Sequence, residues 1–215
     1  MARPDTNFEE KKAQLARMAT TVFAKYGYEG TTNRLIAKEM EQQTGASFTP
    51  ALIYHYYASK EDLFKAVVNQ FPPPQKLSQV IQDNVDAPPE ILLRNIGVTY
   101  LELFEDPITA SLMRMLLTEV QTHPELARIV AERVVPSVVM PLAQYITEQV
   151  EQGKFKSANP VTLLFQFFSP LFQRVLLNSL GFFSVFPIQI PAREEYVNSL
   201  VDGYLHGVLV EQKGE

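Results

Sequence analysis

Thr49-Pro50-Ala51-Leu52-Ile53-Tyr54-His55-Tyr56-Tyr57-Ala58-Ser59-Lys60-Glu61-Asp62-Leu63-Phe64 is the stretch whose reading decides the fold. Thr49 is a side-chain N-cap, and Pro50 stands at the first helical position, where its missing N–H has no partner to lose. A short helix that exposes aromatic side chains follows. Ser59-x-x-Asp62 then caps another helix, with Leu63, Phe64, Val67, Val68 and Phe71 on one face. Pro72-Pro73-Pro74 stops it, and a domain boundary is expected there, after residue 71.

Upstream of this stretch, Thr31 or Thr32 caps a short helix carrying Leu35, Ile36 and Met40 on one side. It ends in the polar stretch Glu41 to Ser47 with Gly45, and a loop follows. Before it, Thr6-x-x-Glu9 forms a capping box, and Phe8, Leu15, Met18, Val22 and Tyr26 recur at helical spacing until Gly27 stops the run. Three short helices in this order lay a recognition helix across a supporting one. The start of such a helix fits the major groove of DNA.

Downstream, proline repeatedly marks helix starts: Pro89, Pro107 and Pro124 each precede a helical run, the last reaching Gln152. Pro136 and Pro141 lie inside that last run and should kink it. Asn159-Pro160 opens a helix with Leu163, Leu164, Phe167, Phe168, Leu171 and Val175, and Pro191 opens the last one. No segment alternates as a strand does. The expected fold is all-α: an N-terminal three-helix helix-turn-helix domain over 1–71, then a larger helical domain over 72–215.

The composition of the 215 residues, 46% hydrophobic and 20% charged, is that of a packed globular chain. With no cysteine, disulfides, thiolate metal sites and cysteine nucleophiles are excluded. The N-terminus lacks an apolar signal region, so a cytoplasmic location is expected. The uncharged stretches Ser157 to Gln173 and Val175 to Ala192 are broken by Gln166, Pro170, Arg174, Gly181 and Pro187. They read as buried helix and loop, with no membrane partner. Net charge is -5, yet residues 1 to 70 hold nine Lys or Arg against eight acids, while the remainder holds ten against sixteen. Any contact with a polyanion is therefore expected in the first segment. The only histidines are His55, His123 and His206, and no HExxH, GxSxG or phosphate-binding glycine loop is present. No enzyme activity, metal or cofactor is expected.

The motifs together resemble the tetracycline-repressor (TetR) family of bacterial regulators. Ile53 to Phe64 is similar to that family's "LYYHFPSKEALF"-type signature; Phe23-x-x-Tyr26-Gly27-Tyr28-x-Gly30-Thr31-Thr32 and Ile36-Ala37 match its first and second helices. The likeness covers residues 8 to 71. It departs from the family between Ile36-Ala37 and Ile53-Tyr54, where extra length falls at Glu41 to Ala46. Phe48 stands where the family has Val, Thr49 where it has a capping Ser, and Ala51 where it often has Gly. The resemblance implies that Thr32 and Lys60 touch phosphate and that Thr49, Pro50, Ala51 and His55 face base edges, with Tyr54 and Tyr56 reaching phosphates. Thr49 would cap its helix with or without DNA, and Tyr57, at the family's Phe position, reads as core.

In the second domain, Tyr100, Phe104, Met113, Leu117, Phe165, Phe168, Phe172, Phe182, Phe183 and Phe186 give a heavy aromatic load. Each one alone is ordinary core. The family's helical domain encloses a small-molecule pocket, which implies a ligand site drawn from Tyr100, Phe104, Met113, Leu117, Phe168, Phe172 and Phe183. Arg114, Gln166, Gln173 and Arg174 are the polar groups placed to orient such a ligand, or lie on the surface. Val161 to Leu180 is apolar on more than one face, and Tyr196, Leu200, Tyr204 and Val208 add a stripe, so both need burial beyond one small domain. The resemblance implies a four-helix homodimer interface there, a palindromic operator in double-stranded DNA, and repression relieved by a small apolar or aromatic effector. The rival reading is a helical interaction or adaptor protein without sequence-specific DNA binding. The insertion, the weak charge of the first domain and the acidic total favour it.

Overall fold

The computed structural model describes residues 6–45, 47–70, 72–185 and 189–210. Helix α1 spans Thr6–Gly30, α2 Asn33–Thr44, α3 Pro50–Tyr56, α4 Lys60–Gln70, α5 Pro72–Asp83 and α6 Pro89–Glu105. Then come α7 over Pro107–Glu119, α8 over Pro124–Val134, a π-helical turn over Val135–Val139 and α9 over Met140–Glu151. The chain ends with α10 over Pro160–Ser179, α11 over Phe182–Val185 and α12 over Arg193–Val208. Among the described residues the only β pairing is an isolated antiparallel bridge between Phe155 and Leu209. The fold is all-α.

Local chemistry explains most starts and stops. Thr32 and Thr49 accept from the amides of Leu35 and Leu52, Ser59 from that of Asp62, and Asn159 from those of Val161 and Thr162. The side chain of Thr6, and with it the expected first capping box, lies outside the described residues. One element goes beyond the sequence reading. The triple proline follows the end of α4, as expected of a stop, and it also forms the first turn of α5, where prolines cost no hydrogen bond; Leu77 and Ile81 are buried one turn apart. Helix α2 ends within the polar stretch, as expected: Gly45 adopts a left-handed conformation (φ 69°) and its N–H bonds to Glu41 O. At Pro136 the helix does deform, into a π turn closed by the amide of Met140 on Val135 O.

The chain divides into two compact units. The first joins 1–71 to 107–131, so α7 and most of α8 lie with the first four helices, although the sequence reading gave them to the second domain. Leu112, Met115, Leu126 and Ile129 are the reason, for they share a core with Leu15, Val22, Phe23, Ile36, Ile53 and Phe64. At its centre Phe23 stacks on Tyr28 (5.8 Å between ring centroids) and meets Phe64 edge-on (5.3 Å).

The second unit holds 72–106 and 132–215. Helix α6 is its axis, burying Leu92, Leu93, Ile96, Gly97, Leu101, Leu103 and Phe104. Gly97 lets α12 approach closely: a Cβ there would lie 2.8 Å from Val197 Cγ1. Beside that contact, Arg94 donates to Asn198 Oδ1 (2.6 Å) and Asp202 Oδ1 (2.9 Å). Tyr196 and Tyr204 on α12 donate to Pro170 O and Leu163 O of α10.

Candidate functional site

Helix α3 is seven residues long and is held from one side only. Ile53 is 1% exposed, and the buried Tyr57 at the helix end donates its hydroxyl to Lys12 O on α1 (2.9 Å). These two positions, i and i+4, fix the inner face. The outer face carries Thr49, Pro50, Ala51, Tyr54 and His55, all exposed, with Tyr54 at 61%. Tyr56 is half-buried against Phe8 (4.9 Å), and His55 meets the same ring edge-on at 5.6 Å. Of the residues expected at DNA, five therefore form one open surface and Tyr56 flanks it.

Thr32 is exposed and caps α2. Lys60 is placed otherwise than as a free phosphate ligand. Its ammonium donates to Tyr28 O (2.9 Å), lies 4.5 Å above the Tyr28 ring and stands 3.9 Å from a Glu29 carboxylate oxygen. Sequence reasoning missed Arg34 and Lys38, exposed cations at i and i+4 on α2. Their spacing was readable, but no motif pointed to them.

In the second unit, a cavity of about 280 Å³ is lined by Leu101, Phe104, Val175, Phe183 and Ile190, with Glu105, Arg174 and Asn178 as its polar groups. Arg174 donates to Pro191 O (3.1 Å) and lies 4.6 Å over the Tyr196 ring; Glu105 accepts from Arg193 at 2.6 Å. Tyr100 packs on Phe104 (4.9 Å) and Phe168 (5.7 Å), and burial pushes its phenol well above the ordinary range. Thus Phe104 and Phe183 of the expected ligand set line the cavity, and Tyr100 and Phe168 form the ring cluster around Phe104. Phe172 is 37% exposed on α10, while Met113 and the 38%-exposed Leu117 sit on α7, in the first unit. Of the polar candidates only Arg174 lines this cavity. Gln166 and Gln173 are exposed, and Arg114 donates to Ser111 on its own helix. Asn178 and Glu105 were missed, although each follows a lining residue at i+4. Phe186 lies outside the described residues.

Helix α10 is long and apolar enough, by length and composition, to cross a membrane. It buries Leu163, Leu164, Phe167, Leu171 and Val175 but leaves Val161, Phe165 (61%) and Phe172 open, so the sequence reading of it as a buried helix holds for one face only. On α12, Gly203 and Gly207 face open space.

A short capped helix pinned from behind and open in front, next to a supporting helix, is the reading head of the helix-turn-helix regulators of transcription. Residues 16–67 match the family profile described as bacterial regulatory proteins, tetR family, and residues 92–206 match that of the C-terminal domain of AefR-like transcriptional repressors. The chain belongs to the TetR family, and it is a DNA-binding transcriptional regulator. Solved structures agree on the fold. A TetR-family regulator from Mesorhizobium loti has a TM-score of 0.72 at 20% identity, covering 96% of this chain and 100% of that one. The fatty acid degradation regulator of Bacillus halodurans gives 0.66 at 19% identity, covering 95% and 97%. A ketosteroid transcriptional regulator of Mycobacterium tuberculosis gives 0.59 at 17%, covering 94% and 96%. No curated protein sequence matches the chain.

Proposed function

We propose that the protein is a cytoplasmic homodimeric repressor, released from a palindromic operator by a small apolar or aromatic effector. DNA binding belongs to residues 1–71, and effector binding and dimerisation to residues 72–215. The observation that carries the DNA reading is the outer face of α3, where Thr49, Pro50, Ala51, Tyr54 and His55 stand exposed over a buried Ile53. Thr49, Pro50, Ala51 and His55 meet base edges, and a thymine methyl suits Pro50 and Ala51. Thr32, Tyr54 and Tyr56, joined by Arg34 and Lys38, hold phosphates and set the register. Lys60 acts by closing the joint between α1 and α2.

The effector occupies the cavity beside Phe104 and Phe183, with Arg174 and Asn178 as its polar anchors. The fold relatives named for ketosteroids and for fatty acid degradation concern chemistry of the same apolar class. The uncovered Val161, Phe165 and Phe172 of α10 support a two-fold interface that presents two α3 helices to successive grooves. Ligand then shifts the population toward a form whose helices no longer match that spacing. The test is binding of the protein to the DNA upstream of its own gene, followed by fluorescence anisotropy. Binding as a dimer that Tyr54→Ala weakens, and that an apolar compound stabilising the protein to heat also weakens, supports the reading. A monomer whose DNA affinity ignores both changes overturns it.

A further inference from the structure

Gly27 breaks α1. Its φ of 75° and ψ of 175° leave the helix, and Tyr28 to Gly30 restart a single turn. The first amides of such a turn have no carbonyl four residues back and need another acceptor. Glu119, the last residue of α7, supplies it: its carboxylate accepts from Tyr28 N at 2.6 Å and Glu29 N at 3.0 Å. A carboxylate on helix-start amides is a charge-assisted cap. A Cβ on Gly27 would lie 2.5 Å from Glu119 Oε1, so any side chain there would displace the carboxylate from these amides.

The other end of the same turn is tied as well. Tyr28 O accepts from Lys60 Nζ, and Thr31 Oγ1 donates to Gly27 O at 2.6 Å. The next residue, Thr32, caps α2. The joint therefore sets where α2 begins, and with it the platform that carries α3.

His123, in the turn after α7, faces this joint. Its Nε2 meets a Glu29 carboxylate oxygen, its Nδ1 lies 3.0 Å from Glu125 Oε1, and its ring is 5.0 Å from that of Tyr28. An imidazole donates to carboxylates on both nitrogens only when it carries two protons; the neutral ring turns a lone pair toward one of them.

We infer that Glu119 and His123 are positioning residues for DNA binding, holding the α1–α2 joint from α7 and its following turn, so that operator affinity depends on the protonation of His123. This rests on α3 being the DNA-facing helix. Glu29 on α1, Glu125 on α8 and the Tyr28 phenol face the imidazole; behind them Lys60 lies over the Tyr28 ring, and Glu61 on α4 and Glu119 on α7 act on the same phenol. Lys60 partly neutralises Glu29 at 3.9 Å, and Arg128 stands 3.6 Å from Glu61. The hydrogen bond to Glu125, then that to Glu29, raise the His123 pKa above its ordinary value against the opposing effect of burial. A raised folded-state value means that the tie is complete below the ordinary imidazole pKa and is lost as pH rises through the raised one.

The experiment uses the full-length protein and a labelled duplex enriched by it from a random pool, titrated at fixed salt from mildly acidic to alkaline pH. Wild-type affinity is expected to fall by about fivefold across that range, the low end of ordinary coupling between linked sites. His123→Gln should flatten this fall, whereas His55→Gln, which removes the histidine on α3 itself, should leave most of it. Glu119→Ala should weaken binding at every pH with an unchanged circular dichroism spectrum, and Glu119→Gln, which keeps the volume and one acceptor, should fall between. A His123→Gln curve parallel to wild type, or Glu119 variants with wild-type affinity, overturns the assignment. An NMR titration without DNA keeps the test separate from the reading of α3: the Tyr28 and Glu29 amide shifts must move with the His123 ring protons. If those amides follow His123 while Tyr54→Ala leaves DNA affinity unchanged, the reading of α3 has failed and not the joint.

Discussion

The Tyr57 hydroxyl donates to Lys12 O at 2.9 Å, so the residue that ends α3 is bonded to the backbone of α1. Burial, with a smaller push from Glu9, raises this phenol to about 12, and it stays a donor at any physiological pH. Tyr57→Phe keeps the ring and removes this bond, while the Lys12 carbonyl keeps its place in the α1 ladder. The expected loss is about 1 kcal/mol of stability, measured as a lower urea midpoint at unchanged slope. An unchanged midpoint would show that water replaces the hydroxyl at no cost.

Adjacent residues on α3 separate folding from reading. Ile53→Ala, at a position 1% exposed, is expected to cost about 2–5 kcal/mol in denaturant unfolding. Tyr54→Ala, at 61% exposed, should leave stability within about 0.5 kcal/mol while weakening DNA binding. The reverse pattern would put Tyr54 in the core and remove α3 from the DNA.

Gly27→Ala meets both a left-handed φ and the Glu119 carboxylate. It should destabilise the protein by about 1–3 kcal/mol, with Glu119→Ala in the same chain recovering part of the loss. A double-mutant cycle in thermal unfolding reads the coupling directly; strict additivity would mean that the two do not meet.

Phe165→Glu places a charge on the uncovered face of α10. It should convert the proposed dimer to a monomer in multi-angle light scattering, with far-ultraviolet dichroism unchanged. A variant that remains dimeric moves the interface elsewhere.

The sequence was most legible where chemistry is local. Thr49, Ser59 and Asn159 each accept from the amides that capping rules assign to them, and Tyr57 is buried at the position read as core. It was least legible where a residue's partner lies far along the chain. Nothing nearby in sequence reveals the bond of Lys60 to Tyr28 O, and Glu119 is an unremarkable acid until its partners 91 and 90 residues earlier are in place. Met113 and Leu117 carry the helical spacing of a pocket wall, but spacing does not say which unit a helix joins. For Pro72 to Pro74 the ambiguity is intrinsic, since proline both ends helices and starts them.

Spatial order and chain order part company in the first unit, because Phe23 and Phe64 share their core with Leu112, Met115, Leu126 and Ile129. A ribosome delivers the DNA-reading helices well before it delivers these neighbours. Until α8 has emerged, the apolar side of α1 and α4 is open to water, to chaperones or to another nascent chain. Loop closure over 72–106 therefore belongs to the folding of the DNA-binding unit. A fragment cut after residue 71 would keep α3 with its exposed face and lose part of the core behind it.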